Sequence, residues 1–185
     1  MLNALAAFAA ADLHGVGFDE IALAMESFRG ARRRFEVKLD AEHWAVVDDY
    51  GHHPTEVRAT LAAARRLGRG RTICVFQPHR YSRTQLLKDD FGASFADADR
   101  VFVTDVYPAS ERPVPGLDGS TVAAAIRRHG HDEVHYEADK TKLPERLRDW
   151  IEPGAIVLTL GAGDVWRAGD TLIKRSKIKS AGGSR

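Results

Sequence analysis

Apolar and polar residues change rhythm along this chain, and the changes divide it. From Asn3 to Leu13 and from Asp19 to Phe28 apolar residues recur at helical spacing, which predicts two helices split by the Gly15-Val16-Gly17 turn. Asp19 is the expected N-cap of the second and Gly30 its stop. After Gly30 the period drops to two. Phe35 to Leu39 alternates, Asp40-Ala41-Glu42 supplies turn chemistry, and Trp44 to Asp49 returns as an apolar, β-branched strand. Further strands are expected from Thr72 to Phe76, Val101 to Asp105, Glu133 to Glu137 and Ala155 to Leu160. Helices are expected from Thr55 to Leu67, Thr84 to Ala96, Thr121 to His129, Pro144 to Trp150 and Val165 to Lys174. Strand–helix alternation of this kind predicts an α/β fold, a mostly parallel sheet with helices on both faces. The two opening helices stand outside the pattern and read as the end of a preceding domain. The expected division is therefore residues 1–30 and 31–185, with Ser176 to Arg185, rich in Lys, Ser and Gly, a frayed tail.

Composition narrows the class without naming a function. With 185 residues, 44% hydrophobic and 29% charged, the chain has the make-up of a folded domain. A net charge of +1 gives no global field that argues for nucleic acid or membrane as partner. The single cysteine, Cys74, falls in an apolar strand, which excludes a disulfide framework and points to a reducing cytoplasm. The Ala-rich opening lacks the basic lead-in of a signal peptide and carries Asn3 and Asp12, so it reads as a helix.

The chemistry gathers where the second strand hands over to a helix, in Asp48-Asp49-Tyr50-Gly51-His52-His53-Pro54-Thr55-Glu56. Pro54 suits the first helical position and drives His53 out of the α region, so both histidines lie in a bent loop. Loops at the carboxyl ends of parallel strands, beside the positive ends of the next helices, are where open α/β sheets bind ligands. Carboxylates, a phenol and two imidazoles crowded there read as a site; the alternative is a set of turn-capping residues on ordinary surface. Adjacent histidines cannot both face one ion on regular structure, which argues against a metal. After the third strand comes Gln77-Pro78-His79-Arg80-Tyr81-Ser82-Arg83-Thr84. Arg80 and Arg83, three apart at a helix start, suit a carboxylate; alternatively one covers apolar surface and the other is solvated. Asp105 and Glu111 lie near the same rim, and Gly161-Ala162-Gly163-Asp164 ends the last strand. His131 and His135, four apart, fall on strand residues about 13 Å apart and cannot share an ion.

These segments resemble the signatures of the Mur ligases. Asp48 to Glu56 is similar to the loop of the branch that joins L-alanine to UDP-N-acetylmuramate in peptidoglycan synthesis, and Gln77 to Thr84 and Gly30 to Phe35 match two more family segments in family order. The resemblance implies a Rossmann-like carboxy-terminal domain that binds the amino acid, preceded by the last helices of the central ATP domain. It further implies activation of a carboxylate as an acyl phosphate and attack by the amine of L-alanine. On that footing Arg80 and Arg83, backed by His79, hold the L-alanine carboxylate. Tyr50 and His52 line the same pocket, with His52 as the group that orients or deprotonates the amine. Asp49 meets the ATP ribose, Arg34 the ATP phosphates, and Asn3 matches an asparagine near the adenine. Mg²⁺ ligands and the UDP-sugar site are expected in domains outside this sequence, which contains no Gly-Lys dipeptide and hence no P-loop. The expectation is a portion of such a ligase, inactive alone. The alternatives are the related ligase that recycles an intact tripeptide, whose loop has Phe-Ala where Tyr50-Gly51 stands here, and a non-catalytic stand-alone binding module.

Overall fold

The computed structural model describes residues 2–28 and 30–182. They divide into two compact units, Met1–Arg32 and Arg33–Arg185.

The first unit is a helical hairpin. Helix α1 (Leu2–Leu13) and α2 (Phe18–Ser27) are joined through Gly15, whose φ of 81° sets the turn. Phe8 and Phe18 meet edge to face at 5.4 Å, and Ile21 is buried. The N-cap of α2 is Gly17, not Asp19: the extended backbone at Gly17 starts the helix at Phe18, which leaves Asp19 and Glu20 in the first turn to complement the helix dipole.

The second unit is a six-stranded sheet in the order β1-β2-β6-β3-β4-β5. The strands are β1 (Glu36–Asp40), β2 (Trp44–Asp49), β3 (Thr72–Phe76), β4 (Arg100–Val103), β5 (Val134–Tyr136) and β6 (Ala155–Leu160). β1 runs antiparallel to β2, and every other pair is parallel. The connecting helices are α3 (Pro54–Arg66), α4 (Tyr81–Gly92), α5 (Gly119–Arg128), α6 (Leu143–Arg148) and α7 (Trp166–Gly182). Strand side chains alternate between two cores, as the period of two requires. On one face Val47, Cys74, Phe76, Val101 and Leu158 pack with Val57 and Leu61 of α3, Phe91 of α4 and Val122 and Ile126 of α5. On the other Val46, Ile73, Val75, Phe102 and Val157 meet Leu143 and Leu147 of α6 and Ala168 and Leu172 of α7. Each such side chain contributes about 1.5–3 kcal/mol on full burial, so both faces are held by hydrophobic burial.

Several boundaries differ from the sequence pattern: β4 ends at Val103 and not Asp105, α4 ends at Gly92 and not Ala96, α5 starts at Gly119 and not Thr121, and α6 ends at Arg148 and not Trp150. Two further differences have a clear physical cause. Helix α4 begins at Tyr81, three residues before Thr84, because the Glu111 carboxylate accepts the Ser82 N–H at 3.0 Å and its hydroxyl at 2.6 Å, capping a turn that periodicity does not mark. Helix α7 runs on through residues 176–182, where a frayed tail was expected: lysine and serine are no barrier to a helix already anchored by Ala168 and Leu172. Residues 183–185 of that expected tail lie outside the described residues.

One close approach fixes α5 on the sheet. A Cβ added to Gly119 would stand 1.9 Å from the Thr104 carbonyl oxygen at the end of β4. Gly119→Ala is expected to cost about 1–3 kcal/mol or more through overpacking, read as a lowered urea midpoint at unchanged slope.

Candidate functional site

Parallel strands deliver their following loops to one rim, and at the end of β2 that rim rests on two buried carboxylates. Adjacent positions on a strand face opposite ways, so Asp48 and Asp49 are satisfied by different partners. Asp48, fully buried, accepts the Thr159 hydroxyl of β6 at 2.6 Å and the Arg33 Nε at 2.9 Å. The remaining guanidinium nitrogens of Arg33 donate to Gly161 O at 2.6 Å and Gly163 O at 3.1 Å. Asp49 accepts the backbone N–H groups of Phe35 and Gly51, both at 2.7 Å. Arg33 and Phe35 hold φ values of 58° and 48°, the left-handed region, to reach these partners.

The loop after β2 divides its polar residues between capping and exposure. His53 is the N-cap of α3, its Nδ1 accepting the Thr55 N–H, and Pro54 occupies the first helical position. The Glu56 carboxylate accepts the N–H groups of His52 at 2.8 Å and His53 at 3.1 Å. Burial raises the Glu56 pKa, but those N–H groups and the nearby His52 and Arg34 outweigh it and the net shift is downward. Tyr50 and His52 remain for the rim: their rings meet edge to face at 5.5 Å, and the Arg33 guanidinium carbon lies 5.0 Å from the Tyr50 ring centroid.

The loop after β3 comes up beside them. At its base the buried Gln77 amide is engaged through both its atoms, Nε2 donating to Asp164 at 3.0 Å and Oε1 accepting the N–H groups of Asp164 and Val165. His79 then stands 5.5 Å from His52 and is stacked on Tyr107, from the loop after β4, at 5.6 Å and an interplanar angle of 7°. Arg83 Nη1 donates to His79 Nδ1 at 3.1 Å and to its carbonyl at 3.2 Å, which puts the imidazole proton on Nε2. Burial, together with the neighbouring His52, Arg83 and Arg80, pushes the His79 pKa down to about 4, so the ring is neutral at pH 7. Arg80 is the N-cap residue of α4, with φ of 71°, an exposed side chain and its N–H on Tyr107 O at 2.8 Å.

The structure thus brings Tyr50, His52, His79 and Arg83 into one continuous row of contacts, with Arg80 beside it. Asp49 lies beneath, only 7% exposed, with each carboxylate oxygen already accepting a backbone N–H. Arg34 sits at the edge: its side chain is 58% exposed, 3.9 Å from Glu56 and 5.8 Å from the Tyr50 ring centroid. Asn3 is on α1 in the other unit and is exposed. Three residues that sequence reasoning did not single out prove central: Arg33, Gln77 and Tyr107. Arg33 and Gln77 fall within segments that resemble the family, but no local pattern gives any of the three its role, since their partners lie up to 130 positions away. His131 and His135 have separate partners, Ala98 O for the first and the Phe102 and Trp150 rings for the second. Among the described residues no group of three His, Cys, Asp or Glu side chains is arranged to hold a metal ion, and no helix is long and apolar enough to cross a membrane.

Chemically the row offers guanidinium groups for a small carboxylate, a neutral imidazole beside them, and aromatic walls. Comparison with known proteins gives it a setting. Residues 33–163 match the family model described as Mur ligase, glutamate ligase domain. A UDP-N-acetylmuramate–L-alanine ligase of Geotalea uraniireducens is 48% identical over 177 residues, which is 96% of this chain and 39% of that protein. The corresponding enzyme of Trichlorobacter lovleyi is 49% identical over 176 residues, again 39% of its length. The crystal structure of UDP-N-acetylmuramate–alanine ligase from Thermotoga maritima superposes with a TM-score of 0.79 at 28% identity, covering 96% of this chain and 37% of that one. The chain spans well under half the length of these relatives, and across that span sequence and fold agree. It belongs to the Mur ligase family.

Proposed function

We propose that the chain is the amino-acid-binding, carboxy-terminal portion of an ATP-dependent ligase that joins L-alanine to UDP-N-acetylmuramate in the cytoplasm. The observation that carries this reading is the row from Tyr50 through His52 and His79 to Arg83 at the carboxyl rim of the sheet. In the proposal residues 1–30 are the last helices of the ATP domain and residues 31–185 the amino-acid domain. The exposure of Leu5, Leu13, Phe18, Leu23 and Phe28 in the helical unit supports a role against further protein surface.

The residues have a division of labour on this reading. Arg83 and Arg80 bind the carboxylate of L-alanine, a neutral His79 fixing the first by accepting its Nη1 hydrogen. Tyr50 and His52 take the side of the methyl group in this scheme, their rings in edge-to-face contact. His52, with its Nδ1 3.0 Å from the Tyr50 carbonyl and 3.6 Å from Glu56, orients the amine and takes its proton as the amide forms. ATP supplies the energy of activation. Arg34, exposed and held only at 3.9 Å by Glu56, fits contact with its phosphates. Asp49 keeps a lone pair on each oxygen for a ribose hydroxyl, and Asn3 is assigned to the adenine by the family resemblance of its own segment. In this proposal Mg²⁺ and the UDP-sugar are held by the remainder of the ligase. The chemistry asked of this portion is placement and charge neutralisation.

Titration of the chain with L-alanine should show binding in calorimetry. Arg83→Met should weaken it at least tenfold, since a hydrogen bond to a charged group contributes about 1.5–3 kcal/mol. The tripeptide L-alanyl-γ-D-glutamyl-meso-diaminopimelate should not compete; displacement of L-alanine by it would move the assignment to the tripeptide-recycling branch. In an assay supplying ATP, Mg²⁺, L-alanine and UDP-N-acetylmuramate, the chain by itself should release no ADP.

A further inference from the structure

Tyr107 is not among the residues that the binding scheme uses, yet three constraints converge on its ring. Its backbone is paired with the loop that carries His79: Tyr107 N–H donates to Pro78 O and Arg80 N–H to Tyr107 O, both at 2.8 Å. The ring face is covered by the His79 imidazole, nearly parallel to it. Its edge lies against Gly163, where an added Cβ would stand 2.7 Å from the ring carbons, so only glycine leaves the ring its place. The rest of its loop is tied down by Glu111 on Ser82 and carries two successive left-handed residues, Ala109 at 47° and Ser110 at 73°. Strain held in this way persists only where the surroundings over-determine the backbone. The ring of Tyr107 is thus engaged on its face and along its edge.

We propose that Tyr107 is a positioning residue of the amino-acid site: its ring is the platform that holds the His79 imidazole, and through the His79–Arg83 hydrogen bond it sets the aim of the carboxylate-binding guanidinium. This rests on the L-alanine reading above. Aromatic stacking fixes the plane of the imidazole. The Arg83 hydrogen bond then needs Nδ1 in that plane and unprotonated, so a tilted or solvated ring would release the guanidinium. The groups facing His79 are His52, Arg80, Arg83 and Glu111, and none of them is altered by a change at Tyr107.

Two variants test this, with two readouts. Tyr107→Leu removes the aromatic face and should weaken L-alanine binding about tenfold or more; Tyr107→Phe should restore it to within about twofold. Followed by NMR of its ring protons, His79 should titrate at about 4 in the unmodified chain, where burial and the neighbouring His52, Arg83 and Arg80 hold its pKa down. It should stay there in Tyr107→Phe and rise toward the ordinary histidine range in Tyr107→Leu, as burial of the ring is lost. A loss of general stability lowers the urea midpoint without moving that titration. The proposal is overturned if Tyr107→Leu binds L-alanine as the unmodified chain does, or if its His79 titration is unmoved. If the unmodified chain binds no L-alanine, the functional reading fails instead. The titration alone then decides the platform role: a rise in Tyr107→Leu upholds it, and an unmoved curve refutes it.

Discussion

The rim of this sheet depends on neutralising two carboxylates that the fold buries side by side. A buried charge without partners costs several kcal/mol, so Asp48 and Asp49 at the end of β2 dictate what surrounds them. Asp48 takes Arg33, and the same guanidinium reaches the carbonyls of Gly161 and Gly163, joining the lead-in of β1 to the loop after β6. Asp49 takes two backbone N–H groups and so sets the path of the chain on both sides of the strand pair. What looks in the sequence like a cluster of reactive groups is thus first a scaffold. The reactive positions are those that the scaffold leaves over, Tyr50 and His52.

Backbone strain marks the same rim. Among the described residues the non-glycine positions with positive φ are Arg33, Phe35, Arg80, Ala109 and Ser110, and every one lies in a loop at the carboxyl ends of the parallel strands or beside them. Each costs on the order of 1–3 kcal/mol. That cost is tolerated because each loop is fastened twice, by Asp48 and Asp49, by Gln77, or by the Tyr107 backbone pair and Glu111. The opposite end of the sheet shows no such residue among those described.

Much of this architecture was legible in the sequence because hydrophobic periodicity is local. Trp44–Asp49, Thr72–Phe76 and Ala155–Leu160 are strands with the expected bounds, since each is built on a buried apolar run inside the sheet. The start of α4 was not legible, because it is set by Glu111 from a different loop. The same distinction holds for the site. His52 declares itself by the crowding of titratable side chains after β2, Arg83 by its spacing from Arg80 at a helix start, and His79 through the resemblance of its segment to the family. Arg33 hides in a run of three arginines, Gln77 reads as a polar residue in a turn, and Tyr107 gains its meaning only from a ring stacked on it across two loops. Long-range contact, not residue type, separates the two groups.

The position of β6 has a consequence for how such a pocket comes into being. β2 and β3 each hydrogen-bond to β6 and not to one another. The loop bearing Tyr50 and His52 and the loop bearing His79 and Arg83 therefore have no common framework until residues 155–160 have slid between them. A ribosome must have synthesised most of the sheet, and left two central strand edges unzipped, before the last wedge arrives. Nascent chains of this topology wait with their most aggregation-prone edges open, so assembly of the binding rim is a late and non-local event.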